Sequence, residues 1–174
     1  CDVEPDNCNG DGDGIISFGE RGNKSETLRF WQHMRLAGIM YGLYTGTSIE
    51  SPPTTELGIN TPRSKVFTDG GYSVWYDVFF SDQQNAFYRR GPINFIRFGS
   101  PVEGTTSTHG SILKGEEALW IDQKMDDGFP ETGQIHGFDA FNPPPNCVEG
   151  AVGNLKYNTQ DENRRCHMLW HLSD

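Results

Sequence analysis

Residues 9–46 read NGDGDGIISFGERGNKSETLRFWQHMRLAGIMYGLYTG, an acidic, glycine-rich loop running straight into an amphipathic segment. Laid on the twelve-residue EF-hand pattern, the loop puts Asn9, Asp11 and Asp13 at positions 1, 3 and 5 and Gly14 at the sharp turn of position 6. Ile15 offers a backbone carbonyl at 7, apolar Ile16 fills 8, Ser17 falls at 9, and Glu20 stands at 12, where a bidentate carboxylate is required. Neighbouring registers fail: a start at Asn7 puts Phe18 at position 12, and a start at Asp11 puts Ile16 where the glycine must be.

Alternating oxygen donors suit a hard cation, because every second side chain of a tightly turning loop converges on one centre. Asp11, Asp13 and Glu20 supply three carboxylates, so the sequence predicts bound Ca2+ at Asn9, Asp11, Asp13, Ile15, Ser17 and Glu20. A solvated Asx-rich turn needs neither the acid at 12 nor the apolar residue at 8. No helical pattern precedes the loop, so a lone calcium loop of the dockerin kind fits better than a paired EF-hand.

The 174 residues suit a single domain with a real core. Gly 21 and Pro 10 imply many turns and long loops. A net charge of -10 argues against general nucleic-acid or anionic-membrane binding, both of which rely on excess Lys and Arg. The cysteines fall into two sequence-local pairs, which favours disulfides Cys1–Cys8 and Cys147–Cys166 among three connectivities and places the protein outside the reducing cytosol. The alternative, a lipid-bearing Cys1, leaves Cys8 unpaired. With no signal peptide or apolar span, the chain reads as a mature or trimmed exported product.

Ser25 is placed to cap a helix over 25–41, whose apolar residues recur at three and four from Leu28 and Trp31 to Gly38 and Tyr41. Residues 47–64 read as a long surface loop. Strands are predicted at 64–68 and 72–80, joined as a hairpin by Asp69-Gly70-Gly71, with a third at 93–98 and another loop over 99–110. A second helix is predicted over 113–124 with Gly128 as its stop, then a turn-rich run to Cys147 and a final strand over 166–172. The class is α+β: an antiparallel sheet packed on helix, with long loops, in one domain over 1–174 whose first 24 residues carry the calcium loop.

Catalytic signals are few. His167 and His171 share one face of a predicted strand more than about 13 Å apart, so they read as solvent-facing rather than as a metal pair. Asp126 and Asp127 with Glu131 suggest the paired acids of a glycosidase, but adjacent carboxylates in a DDG turn read more as a helix end. Trp75, Tyr76, Tyr88 and Trp170 are suited to stacking on sugars, but an aromatic strand face is usually core. With no GxSxG, HExxH or phosphate loop, a binding or structural role is expected rather than an enzyme.

Three segments carry a resemblance. They are Trp31-Gln32-His33 through Ala37-Gly38 with Gly42, Tyr44 and Gly46; residues 118–130, ALWIDQKMDDGFP, with Gly133; and Cys147 with Cys166 before the last strand. In this order they resemble the head region of bacterial type IV pilin-like and type II secretion pseudopilin-like proteins. The resemblance implies an α+β head without catalysis, carried on a hydrophobic N-terminal helix that packs with other pilin-like subunits in a filament. Calcium sites occur in some such heads. The apolar stem is missing ahead of Cys1, which leaves a trimmed chain or a separate short hydrophobic helical chain as its source. The resemblance therefore leads to a calcium-stabilised filament head, extracellular or in a periplasmic pseudopilus. A secreted calcium-dependent module binding glycan or protein is the alternative, and a carbohydrate-active enzyme using Asp126, Asp127 or Glu131 a third reading.

Overall fold

A computed structural model describes residues 9–17, 25–48, 52, 54–77, 93–140 and 146–172. Cys1, Cys8 and Glu20, and with them the first predicted disulfide and the closing acid of the loop, lie outside the described residues. The order is α1 (Glu26–Leu36), β1 (Gly71–Asp77), β2 (Ile93–Gly99), α2 (Gly115–Met125), β3 (Ile135–Asp139), β4 (Val148–Glu149), β5 (Lys156–Tyr157) and β6 (Cys166–His171). Strands β1, β2, β6 and β3 form an antiparallel sheet in that order, and β4 pairs β5 as a small separate hairpin. The expected α+β class with an antiparallel sheet is what these residues build.

Strand periodicity sorts the sheet into two faces. The register sets Val74 opposite Ile96, and Phe98 opposite Met168. This face meets Ala118 of α2 and buries Ile112, Leu113, Ile135, Tyr157 and the Cys147–Cys166 disulfide. The other face gathers Phe95, Phe138, Leu155 and Leu169. Each fully buried Phe, Leu or Met contributes about 1.5–3 kcal/mol, so these two layers, rather than helix propensity, carry the fold. The α2 helix packs on β3, β5 and β6, whereas α1 packs on β1 at the opposite edge of the sheet.

Helix α1 stops at Leu36, five residues before the predicted Tyr41. Gly38 is the cause. It adopts φ 73°, its N–H reaches Arg35 O, and Ile39 N–H reaches Met34 O, a Schellman closure that satisfies the last carbonyls. Ser25 does stand at the N-cap, but its hydroxyl bonds Thr27 Oγ1 and not the helix backbone.

The predicted hairpin about Asp69-Gly70-Gly71 is replaced by a local knot. Ser64 Oγ accepts the N–H groups of Val66 and Phe67, and Ser64 N–H donates to Gly70 O. Such side-chain bonds compete with a ladder, so only one bridge forms, between Arg63 and Gly71, and β1 pairs with β2 along its length.

Two further expectations change. Residues 47–64 are not simply surface: Asn60 is fully buried, accepts from Glu56 N–H and donates to Thr47 O and Thr54 O. Strand β3, IHGFD, went unseen because Gly137 interrupts it. A Cβ there would lie 2.2 Å from the Tyr157 ring, so glycine is required where β5 crosses the sheet. The second helix runs Gly115–Met125, close to its predicted span, and the last strand is as expected but for Leu172.

Candidate metal centres

The loop of residues 9–17 turns as its sequence demands. Gly12 and Gly14 both adopt φ 80°, the left-handed region open to glycine at little cost. Asp11 Oδ1 accepts Asp13 N–H at 3.1 Å, and Asp13 Oδ1 accepts Ile15 N–H at 2.7 Å. The carboxylates therefore alternate along a tight turn, each with one oxygen accepting a backbone N–H.

The loop is docked, not dangling. Tyr76 N–H donates to Ile16 O, so Ile16 extends the edge of β1. Asn94 on β2 holds the same segment, accepting Ile16 N–H at 3.0 Å and donating to Gly14 O at 2.9 Å. Glu26, in the first turn of α1, ties both ends. Its Oε2 accepts Ser17 N–H and Ser17 Oγ–H, each at 2.8 Å, while Oε1 accepts Asp11 N–H at 3.3 Å. A Cβ at Gly10 would lie 2.5 Å from Glu26 Oε1, so a larger residue there would push this carboxylate aside. This clasp joins Glu26 to residues 11 and 17, which only folding brings beside α1. Its signal in the sequence is an acid within reach just after position 12.

A second group of acids meets at the end of α2. Ligand oxygens of Asp122, Asp126 and Asp127 lie within 4.8 Å of one another, the one such group of three among the described residues, and these side chains can hold a metal ion. Asp122 is fully buried, with Oδ2 taking the Tyr157 hydroxyl at 2.6 Å and Oδ1 the Gly128 N–H at 2.9 Å. Burial pushes its carboxyl up to about 6, against the pull of those two hydrogen bonds. Asp126 Oδ2 accepts the N–H groups of Gln134 and Ile135, and Asp127 accepts Phe129 N–H and the Thr132 hydroxyl. Glu131 stands apart, holding Gly153 and Leu155 N–H at 2.7 Å each. Asp126, Asp127 and Glu131 thus build turns with their carboxylates. Asp122 was missed as a candidate, although its i, i+4 and i, i+5 spacing to the other two was legible.

Of the two histidines read as solvent-facing, His167 is buried and His171 half-buried. His167 and His136 are 3% and 2% exposed. His167 stacks on Phe138 with centroids 5.7 Å apart, and His136 stacks on His171 at 4.5 Å. Residues 106–108 are buried where the chain crosses this face, and Gly99 admits them because a Cβ there would strike Thr108 O. Arg97 lies 4.8 Å over Trp75 and donates to Ser107 Oγ. Burial, with Arg97 adding its charge, lowers His109 to about 4 and holds His167 well below the usual imidazole range. Trp75 is therefore occupied by Arg97 and Phe95 rather than presented to a sugar.

No protein-family model, curated protein or solved structure matches this chain.

Proposed function

We propose that this chain is the globular head of a pilin-like or pseudopilin-like structural subunit in a cell-surface or periplasmic filament. Calcium is the ion read for its entry loop. The single observation that carries the reading is how the chain enters the sheet. The candidate calcium loop is fastened to β1 and β2 through Tyr76 and Asn94 and to the start of α1 through Glu26. A cation on Asp11 and Asp13 would relieve carboxylate repulsion and stiffen this junction, where the resemblance places the approach of a filament stem. The disulfide between Cys147 and Cys166 supports the same role, since it ties the start of the last strand, in the middle of the sheet, and such bonds persist in oxidising extracytoplasmic compartments.

The experiment is immunogold labelling of surface filaments on the source cells with antibody raised against this chain. Labelling along the filaments supports the reading, and label confined to secreted material removes it in favour of a binding module.

A further inference from the structure

Two apolar patches lie at opposite edges of the sheet, and their surroundings differ in charge. The first follows α1: Leu36, Ile39 and Leu43 are exposed and Tyr41 is fully so. Beside them lies a groove of about 260 Å³ whose lining includes Arg35, Leu36, Leu43 and Tyr44. From Thr27 to Ile49 the sequence holds Arg29 and Arg35 and no Asp or Glu, in a chain of net charge -10. Arg35 keeps only its Nε on a backbone carbonyl, Gly42 O at 3.3 Å, and makes no ion pair among the described residues.

The second patch is on α2 and the turn after it. Trp120 is 58% exposed, with Met125 and Phe129 also exposed. Residues 116–131 carry six acids and one lysine. Glu116 lies one turn before Trp120 on the same helix face, so a large aromatic stands beside a carboxylate.

We propose that these patches bind one another between copies of this chain, Trp120 of one copy entering the α1 groove of the next with Glu116 beside Arg35. Charge complementarity selects a second copy as the occupant: the acid-free α1 stretch faces the acidic α2 one, whereas two α1 patches or two α2 patches would oppose like charges. A contact between different surfaces at opposite edges is heterologous, so it does not close as a two-fold dimer, and where its rotation does not close a ring it propagates along a row of subunits. In this the contact rests on the filament reading and specifies how successive heads touch.

The test uses the whole chain with p-benzoylphenylalanine in place of Trp120, mixed equally from 14N- and 15N-labelled material and irradiated at high concentration. Hybrid 14N/15N cross-links to residues 32–45 are expected. Arg35→Glu should weaken self-association by about fivefold, the scale of one exposed ion pair, and Arg35→Glu with Glu116→Lys should restore it. Trp120→Ala should weaken it roughly 30-fold, as loss of a central aromatic anchor does. Cross-links within one copy would mean that the groove belongs to another segment of the same chain. Hybrids mapping elsewhere, or no hybrids, equally overturn the contact. The two readings separate cleanly: hybrids at 32–45 with unlabelled filaments keep the contact and remove the filament role, and labelled filaments without such hybrids do the reverse.

Discussion

Glu26 accepts both the N–H and the hydroxyl of Ser17 at 2.8 Å, joining the far end of the acidic loop to the first turn of α1. Through this pair, anything that orders the loop also orders the helix. Glu26→Ala should cost about 1.5–3 kcal/mol, the range for hydrogen bonds to a charged group. Calcium should raise the melting temperature of the wild-type chain, by the equivalent of about 2.7 kcal/mol at a hundredfold excess over Kd. Asp13→Ala should remove that rise. Calorimetric melts with calcium and with EDTA check both, and identical wild-type melts would remove calcium from the loop.

Asp122 should make the fold more stable in mild acid than it would otherwise be. Its folded carboxyl titrates near 6 against an ordinary 3.8, so between about pH 4 and 6 the folded state holds the extra proton. Its contribution therefore falls as pH rises through that window and stays lost above it. In metal-free buffer Asp122→Asn should flatten this part of the profile and recover about 1–2 kcal/mol at pH 7. Denaturant titrations across pH 4–7 measure it; parallel curves for the two proteins would contradict the assignment.

The buried histidines act in the opposite direction. In the unfolded chain they take a proton near 6.5, while in the fold His109 resists until about 4 and His167 is likewise depressed. Their contribution is complete above about 6.5 and is lost as pH falls below it, by about 1.4 kcal/mol per pH unit for each. His167→Leu should make stability less acid-sensitive in this window, as read by the same titrations. An unchanged slope would mean that His167 is charged or accessible in the fold.

The disulfide has a separate signature. Cys147 and Cys166 are 19 residues apart and both fully buried. Replacing the pair by alanine should cost about 3 kcal/mol in the chain-entropy account. It should also free the 147–165 segment to exchange its amide hydrogens, while β1 and β2 stay protected. Uniform loss of protection would show that the bridge holds the whole sheet and not its last strand alone.

What the sequence made legible follows the reach of each signal. The strands β2 and β6 and the helix α2 were readable because alternation and the 3.6-residue period survive in the side chains themselves. Gly38 was legible as a stop but was absorbed into an apolar stripe, which is why α1 was drawn too long. Strand β3 was hidden by Gly137, whose reason lies in Tyr157, twenty positions away. At the candidate site, Asp11, Asp13 and Gly14 were found by local spacing. The Glu26 clasp and the Asn94 anchor were not, because they depend on elements brought together only by folding. The burial of His167 was missed for the same reason, since the covering segment at 106–108 arrives from another part of the chain.

The most direct test of the central claim is the intact mass of this chain in filaments sheared from the source cells and washed free of secreted protein. The filament reading predicts the chain as a stoichiometric component, either extended by a hydrophobic N-terminal stem or accompanied by a short helical protein that supplies one. Its absence both from purified filaments and from the periplasmic fraction would contradict that reading.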